Sequence, residues 1–122
     1  MTGNEYQKLA MRTNDGKCTD RLCEVMNLNL LLLDIGGILN ASLGLSGETG
    51  ELNDSIKKWV FHGHPINREY VKKELGDIMW YVAMMCESFG FEMNDIMQLN
   101  IDKLKARYPE GFSEEKSINR EV

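Results

Sequence analysis

Two pairs of carboxylates, each spaced i, i+3, restrict what this chain can fold into: Glu48 and Glu51 in GETGEL, and Glu74 and Asp77 in KKELGDIMWYV. Residues three apart share a face on a helix, so each pair acts as a unit if its segment is helical. The stretch HGHPIN, residues 62–67, stands between the two segments and reads as a turn that sets the helices back to back. A single acidic pair is ordinary on a solvated face. Two facing pairs bring like charges to about 4–6 Å, at a cost of roughly 3–4 kcal/mol per contact for an effective dielectric near 20. Such a cluster calls for a cation. Oxygen ligands alone suit magnesium or manganese and, through the metal, phosphate groups.

The chain has 122 residues and a formal net charge of −5, of which these four acids supply four. The remainder is close to neutral, so no basic patch for nucleic acid is expected. One domain is expected over residues 1–122, large enough for a core yet thin enough to gain from oligomerisation. Cys18, Cys23 and Cys86 are odd in number and follow no secretory signal, which favours a reducing cytoplasm. Cys18 and Cys23 with His62 and His64 do not reproduce a zinc-ligand spacing. The apolar run Leu28–Leu33, interrupted by Asn29 and followed by Asp34, is far short of the roughly 20 residues of a membrane span. It is expected to be a buried helix, with no membrane partner.

With two prolines and no sustained period-2 alternation, the pattern predicts an all-α domain resembling a four-helix bundle. A short first helix is expected over Glu5–Arg12 and a loop over Thr13–Asp20. A long apolar segment follows from Leu22 to Phe61, with a kink or break at Gly36 and Gly37. Asn67 caps a third helix that Gly90 ends, and Asn94 caps a fourth that stops before Pro109. The tail from Glu110 onward is polar, with 113–122 outside the motif core.

At 100° per residue, Glu74, Asp77 and Tyr81 fall in one sector of the third helix, flanked by Ile78 and Met85 on one side and Trp80 and Met84 on the other. Every residue from Ile78 to Cys86 is apolar or aromatic, so these acids open into a buried or half-buried site rather than a plain solvent face. Glu48 and Glu51 border the stripe Leu45, Leu52, Ile56 and Trp59, with Gly44 and Gly47 leaving room beside them. On the fourth helix Asn100, Lys103 and Arg107 share a face, a point charge and a planar fork for phosphate oxygens or else a solvated basic face. Trp59, Trp80 and Tyr81 could stack on a base, although aromatics at helical spacing are more often core. His62 and His64 read as a surface turn.

The strings GLSGETGELNDSIKKWVFHGH, KKELGDIMWYVA and NIDKLKARYPEGF resemble the MazG-like family of all-α nucleoside triphosphate pyrophosphohydrolases, from about Asn40 to Arg120, with a weaker echo in NEYQKLAMRT. Its E-x-x-E, spacer, E-x-x-D pattern is met by Glu48, Glu51, Glu74 and Asp77. The resemblance implies a magnesium-dependent enzyme, with manganese an alternative, that cleaves a nucleoside triphosphate to a monophosphate and pyrophosphate. It implies that the four acids hold metal, that one of them, with Glu51 the candidate, serves as the base, and that Lys58, Lys103 and Arg107 face phosphates. Asn40 and Tyr81 are further candidates for substrate contact. A homodimer or homotetramer is expected to complete the bundle. The single module and Gly36-Gly37 depart from the family's pattern. Two hydrolases on a similar scaffold, an all-α dUTPase and a phosphoribosyl-ATP pyrophosphatase, remain open alternatives, as does a noncatalytic helical oligomerisation or regulatory module.

Overall fold

The computed structural model describes residues 1–29 and 32–120, and every regular element among them is helical. The chain forms two compact units, Met1–Leu33 and Asp34–Val122. In the first, α1 spans Gly3–Ala10 and is started by a reciprocal cap: the Thr2 hydroxyl accepts from the Glu5 amide, and the Glu5 carboxylate accepts from the Thr2 amide at 2.7 Å. A 3-10 turn over Met11–Thr13 leads toward α2, Cys18–Asn27, which begins within the stretch expected as loop.

The buried helix expected over Leu28–Leu33 is not found. Leu28, Asn29, Leu32 and Leu33 are not helical, and Leu28 and Leu32 are exposed; residues 30 and 31 lie outside the described residues. The physical reason is local. Asn29 turns its side chain onto the backbone of Leu33, accepting from its amide at 3.0 Å and donating to its carbonyl, so it takes over bonds a continuing helix would make. Leu32 adopts a left-handed φ of 54°, incompatible with helix.

In the second unit α3 spans Ile35–Phe61, α4 Arg68–Phe89, α5 Met93–Arg107 and α6 Glu114–Ile118. The long segment expected from 22 to 61 is therefore two helices, and the break precedes Gly36 and Gly37 rather than falling on them. Asp34 makes the new start, its carboxylate accepting from the Gly37 amide at 3.0 Å. Asn67 caps α4 by accepting from the Tyr70 amide at 3.0 Å, and Gly90 ends it in the left-handed region, φ 73°, both as expected. Helix α5 starts at Met93, ahead of the expected cap Asn94, and the polar tail contains α6, capped by Ser113.

Helices α3 and α4 pack as an antiparallel hairpin, and each turn along one is matched by a turn back along the other. Gly37 lies against Ser88, Asn40 against Met84, Gly44 against Tyr81 and Glu48 against Asp77. The α3 side of this seam is a stripe of small residues, Gly37, Ala41 and Gly44, which lets the backbones approach; a Cβ on Gly37 or Gly44 would overlap Ser88 or Tyr81. The core it encloses is thin. Among the described residues, Ala41 and Cys86 are the buried apolar side chains, while Leu43, Phe61, Met79 and Trp80 on the same hairpin are exposed.

Candidate metal centre

The hairpin register brings Glu48 of α3 over Glu74 and Asp77 of α4, with one carboxylate oxygen of each within 4.8 Å of the other two. Glu74 is buried, 6% exposed, Glu48 is half-buried and Asp77 opens to solvent. The Oε2 atoms of Glu48 and Glu74 are buried and have no hydrogen-bond partner. Leaving such oxygens unsatisfied is unfavourable, more so for charged groups. The Glu48 carboxyl is pushed up to about 7, because a hydrogen bond to Glu74 requires its proton; burial adds, as do the charges of Glu51, Glu74 and Asp77. Three convergent carboxylates with two orphaned oxygens fit a hard divalent cation, which would satisfy those oxygens and replace the bridging proton.

Glu51 does not join the three. It sits one turn further along α3, exposed, and contributes through its charge, which helps raise both Glu48 and Tyr70. Tyr70 is a neighbour the sequence reading missed. Burial first, then the negative charge of Glu74, holds its phenol above the usual range. The i, i+4 spacing of Tyr70 and Glu74 was the available signal, since it places both on one face of α4.

Beside the acids is an open cleft of about 340 Å³ lined by Glu48, Asp77, Trp80 and Tyr81. The Tyr81 ring occupies the space a Cβ on Gly44 would take, and Trp80 meets it edge to face, with centroids 5.1 Å apart and planes at 87°. Trp59 is elsewhere, in an apolar cleft with Ile56, Ile66 and Val71 near the hairpin turn.

The other candidates are not gathered here. Lys58 pairs with Asp54 at 2.8 Å on the exposed side of α3, and Asn40 donates to the Met84 sulfur at 3.6 Å. Lys103 is exposed on α5, while Arg107 lines a separate cleft with Glu115, Lys116, Asn119 and Arg120. Asn100, His62 and His64 are exposed, with His62 closing the end of α3. Cys18, Cys23 and Cys86 are all free, and no described helix is long and apolar enough to cross a membrane.

The family model of the MazG nucleotide pyrophosphohydrolase domain matches residues 38–112, a span that contains all four acids, the whole of α4 and all but the first three residues of α3. The gene 37 protein of Mycobacterium phage L5 is 32% identical over 90 residues, covering 70% of this chain and 79% of that protein. No solved structure matches the chain. The chain belongs to the MazG nucleotide pyrophosphohydrolase domain family.

Proposed function

We propose that this protein is a magnesium-dependent nucleoside triphosphate pyrophosphohydrolase: water attacks the α-phosphorus, the bond to the β-phosphate's bridging oxygen breaks, and a nucleoside monophosphate and pyrophosphate leave. The observation that carries this reading is the convergence of Glu48, Glu74 and Asp77, two of them with an orphaned buried oxygen, in a chain of this family. A divalent cation held there would make water a better nucleophile and offset charge on the phosphate oxygens.

Each residue has a task consistent with its place. Buried Glu74 and half-buried Glu48 form the fixed part of the cation site, and exposed Asp77 completes it from the solvent side. Glu51 is exposed one turn along α3 from Glu48, near enough for its charge to act on Glu48, and its carboxylate would accept the proton of the attacking water. Lys103 and Arg107 lie outside the acidic cleft of a single chain and would meet the triphosphate, offsetting its charge, only once the bundle is completed. Because α5 carries no buried residue and α3–α4 exposes Leu43, Met79 and Phe61, a second copy of the chain covers these faces and completes the bundle. Three free cysteines suit a cytoplasmic setting.

Pyrophosphate release from the common ribo- and deoxyribonucleoside triphosphates, from dUTP and from phosphoribosyl-ATP, measured with magnesium and with chelator, tests the reading. Magnesium-dependent release is expected. No release from any of them would leave the noncatalytic helical module, and release confined to dUTP or phosphoribosyl-ATP would select one of the specialised hydrolases.

A further inference from the structure

Glu48 and Asp77 line the cleft beside the cation site, but two of its four lining residues, Trp80 and Tyr81, carry no charge for phosphate or metal. Many apolar side chains of this hairpin are exposed, so exposure alone says little about Trp80, which is 58% accessible. What separates it from Leu43 or Met79 is its place in the cleft that holds two of the three convergent carboxylates. Its ring is also oriented. Tyr81 is fixed by the close approach at Gly44, and Trp80 stands edge to face against Tyr81, so the indole is held against a tyrosine that is itself pinned to the seam.

The remaining chemistry of the cleft is sparse. Apart from the carboxylates, its side chains offer one phenol, one indole N–H and two π faces. Its volume of about 340 Å³ is in the range of sites for small organic ligands. We propose that Trp80 is the platform on which the aromatic base of a nucleotide substrate stacks while its phosphates lie toward Glu48 and Asp77. The inference rests on the nucleotide reading above and adds the group that positions the base. Stacking on a π face accepts any base, so recognition here is by flatness rather than by a pattern of hydrogen bonds.

The test uses Trp80→Ala and Trp80→Phe in the full chain, with inorganic tripolyphosphate as a probe that lacks a base. Trp80→Ala is expected to raise KM for each nucleoside triphosphate about 5- to 100-fold, with kcat within about threefold, and Trp80→Phe to recover most of the loss. The inhibition constant of tripolyphosphate is expected to stay unchanged. An unchanged KM, or a tripolyphosphate constant that weakens as much as KM, would overturn the assignment. So would a lower molecular mass of Trp80→Ala in sedimentation, since the indole would then belong to an interface between copies. A readout independent of turnover is indole fluorescence in a Trp59→Phe background, where Trp80 is the one remaining tryptophan. Quenching by a nucleoside monophosphate but not by ribose 5-phosphate is expected even if no pyrophosphate is released, which separates failure of this inference from failure of the catalytic reading. Absence of quenching at millimolar nucleotide would overturn it.

Discussion

The α3–α4 hairpin and helix α5 carry the two halves of the expected site, and they differ in how much of it the chain assembles by itself. On the hairpin, Glu48, Glu74 and Asp77 converge because a stripe of small residues, Gly37, Ala41 and Gly44, lets two backbones close on each other in a fixed antiparallel register. On α5, Lys103 and Arg107 are held on a helix with no buried residue, and Arg107 lines a cleft made with α6 rather than the acidic one. A charge placed by a tight seam has a defined neighbour; a charge on an unpacked face does not.

Variants that strike each half give the largest contrast. Glu74→Gln and Asp77→Asn are expected to lower turnover by orders of magnitude with helical content unchanged, because each removes a charge from the cation site while keeping the side chain's shape. Glu51→Gln is expected to do the same through the proton of the attacking water. Arg107→Ala is expected to raise KM about tenfold, the scale of one charge-assisted contact, with a smaller effect on turnover. Pyrophosphate-release kinetics check all four, and an Arg107→Ala turnover as low as that of Glu74→Gln would erase the distinction between the halves.

The seam itself can be broken at one glycine and left intact at another. Gly44→Ala would drive a Cβ into the Tyr81 ring and is expected to cost about 1–3 kcal/mol of stability by overpacking. Gly47→Ala, one turn on and with open space around it, is expected to gain about 0.5–1 kcal/mol from helix propensity. Chemical denaturation of the two variants compares them, and equal effects would deny the seam its role.

Between these lies a pH effect confined to the hairpin. The Glu48 carboxyl rises from 4.5 to about 7 on folding, so the folded state holds its proton more tightly than the unfolded chain. With chelator present, the contribution is full below pH 4.5 and is lost as pH rises through about 7. Melting temperatures of the native protein are therefore expected to fall across that window, and those of Glu48→Gln to be flatter. A parallel decline in both would assign the effect to other groups.

The hairpin was legible in the sequence for the same reason that it assembles: its signals are local. Asn67 and Gly90 bound α4 through caps whose partners are three or four residues away, and i, i+3 spacing fixes which acids share a face. The register across the seam was half legible. Gly44 was read as room beside the acids, but only the contact with Tyr81 shows why, and Glu51 falls outside the three convergent carboxylates because the seam centres on Glu48. Gly36-Gly37 misled, since Gly37 serves a close approach to Ser88 inside α3 and the break comes from Asn29, Leu32 and Asp34 before it. The apolar run at Leu28–Leu33 misled in another way: hydrophobicity marks what gains from burial and does not supply the surface that buries it.

The claim on which all of this depends is that the convergent carboxylates are a divalent-cation site. Thermal melts of the native protein and of Glu74→Gln, each with chelator and with millimolar magnesium, test it directly. Native protein is expected to gain stability on adding magnesium, as binding to the folded state alone requires, and Glu74→Gln, as stable as native or more so in chelator, to gain little. Equal shifts in the two proteins, or no shift in either, would contradict it.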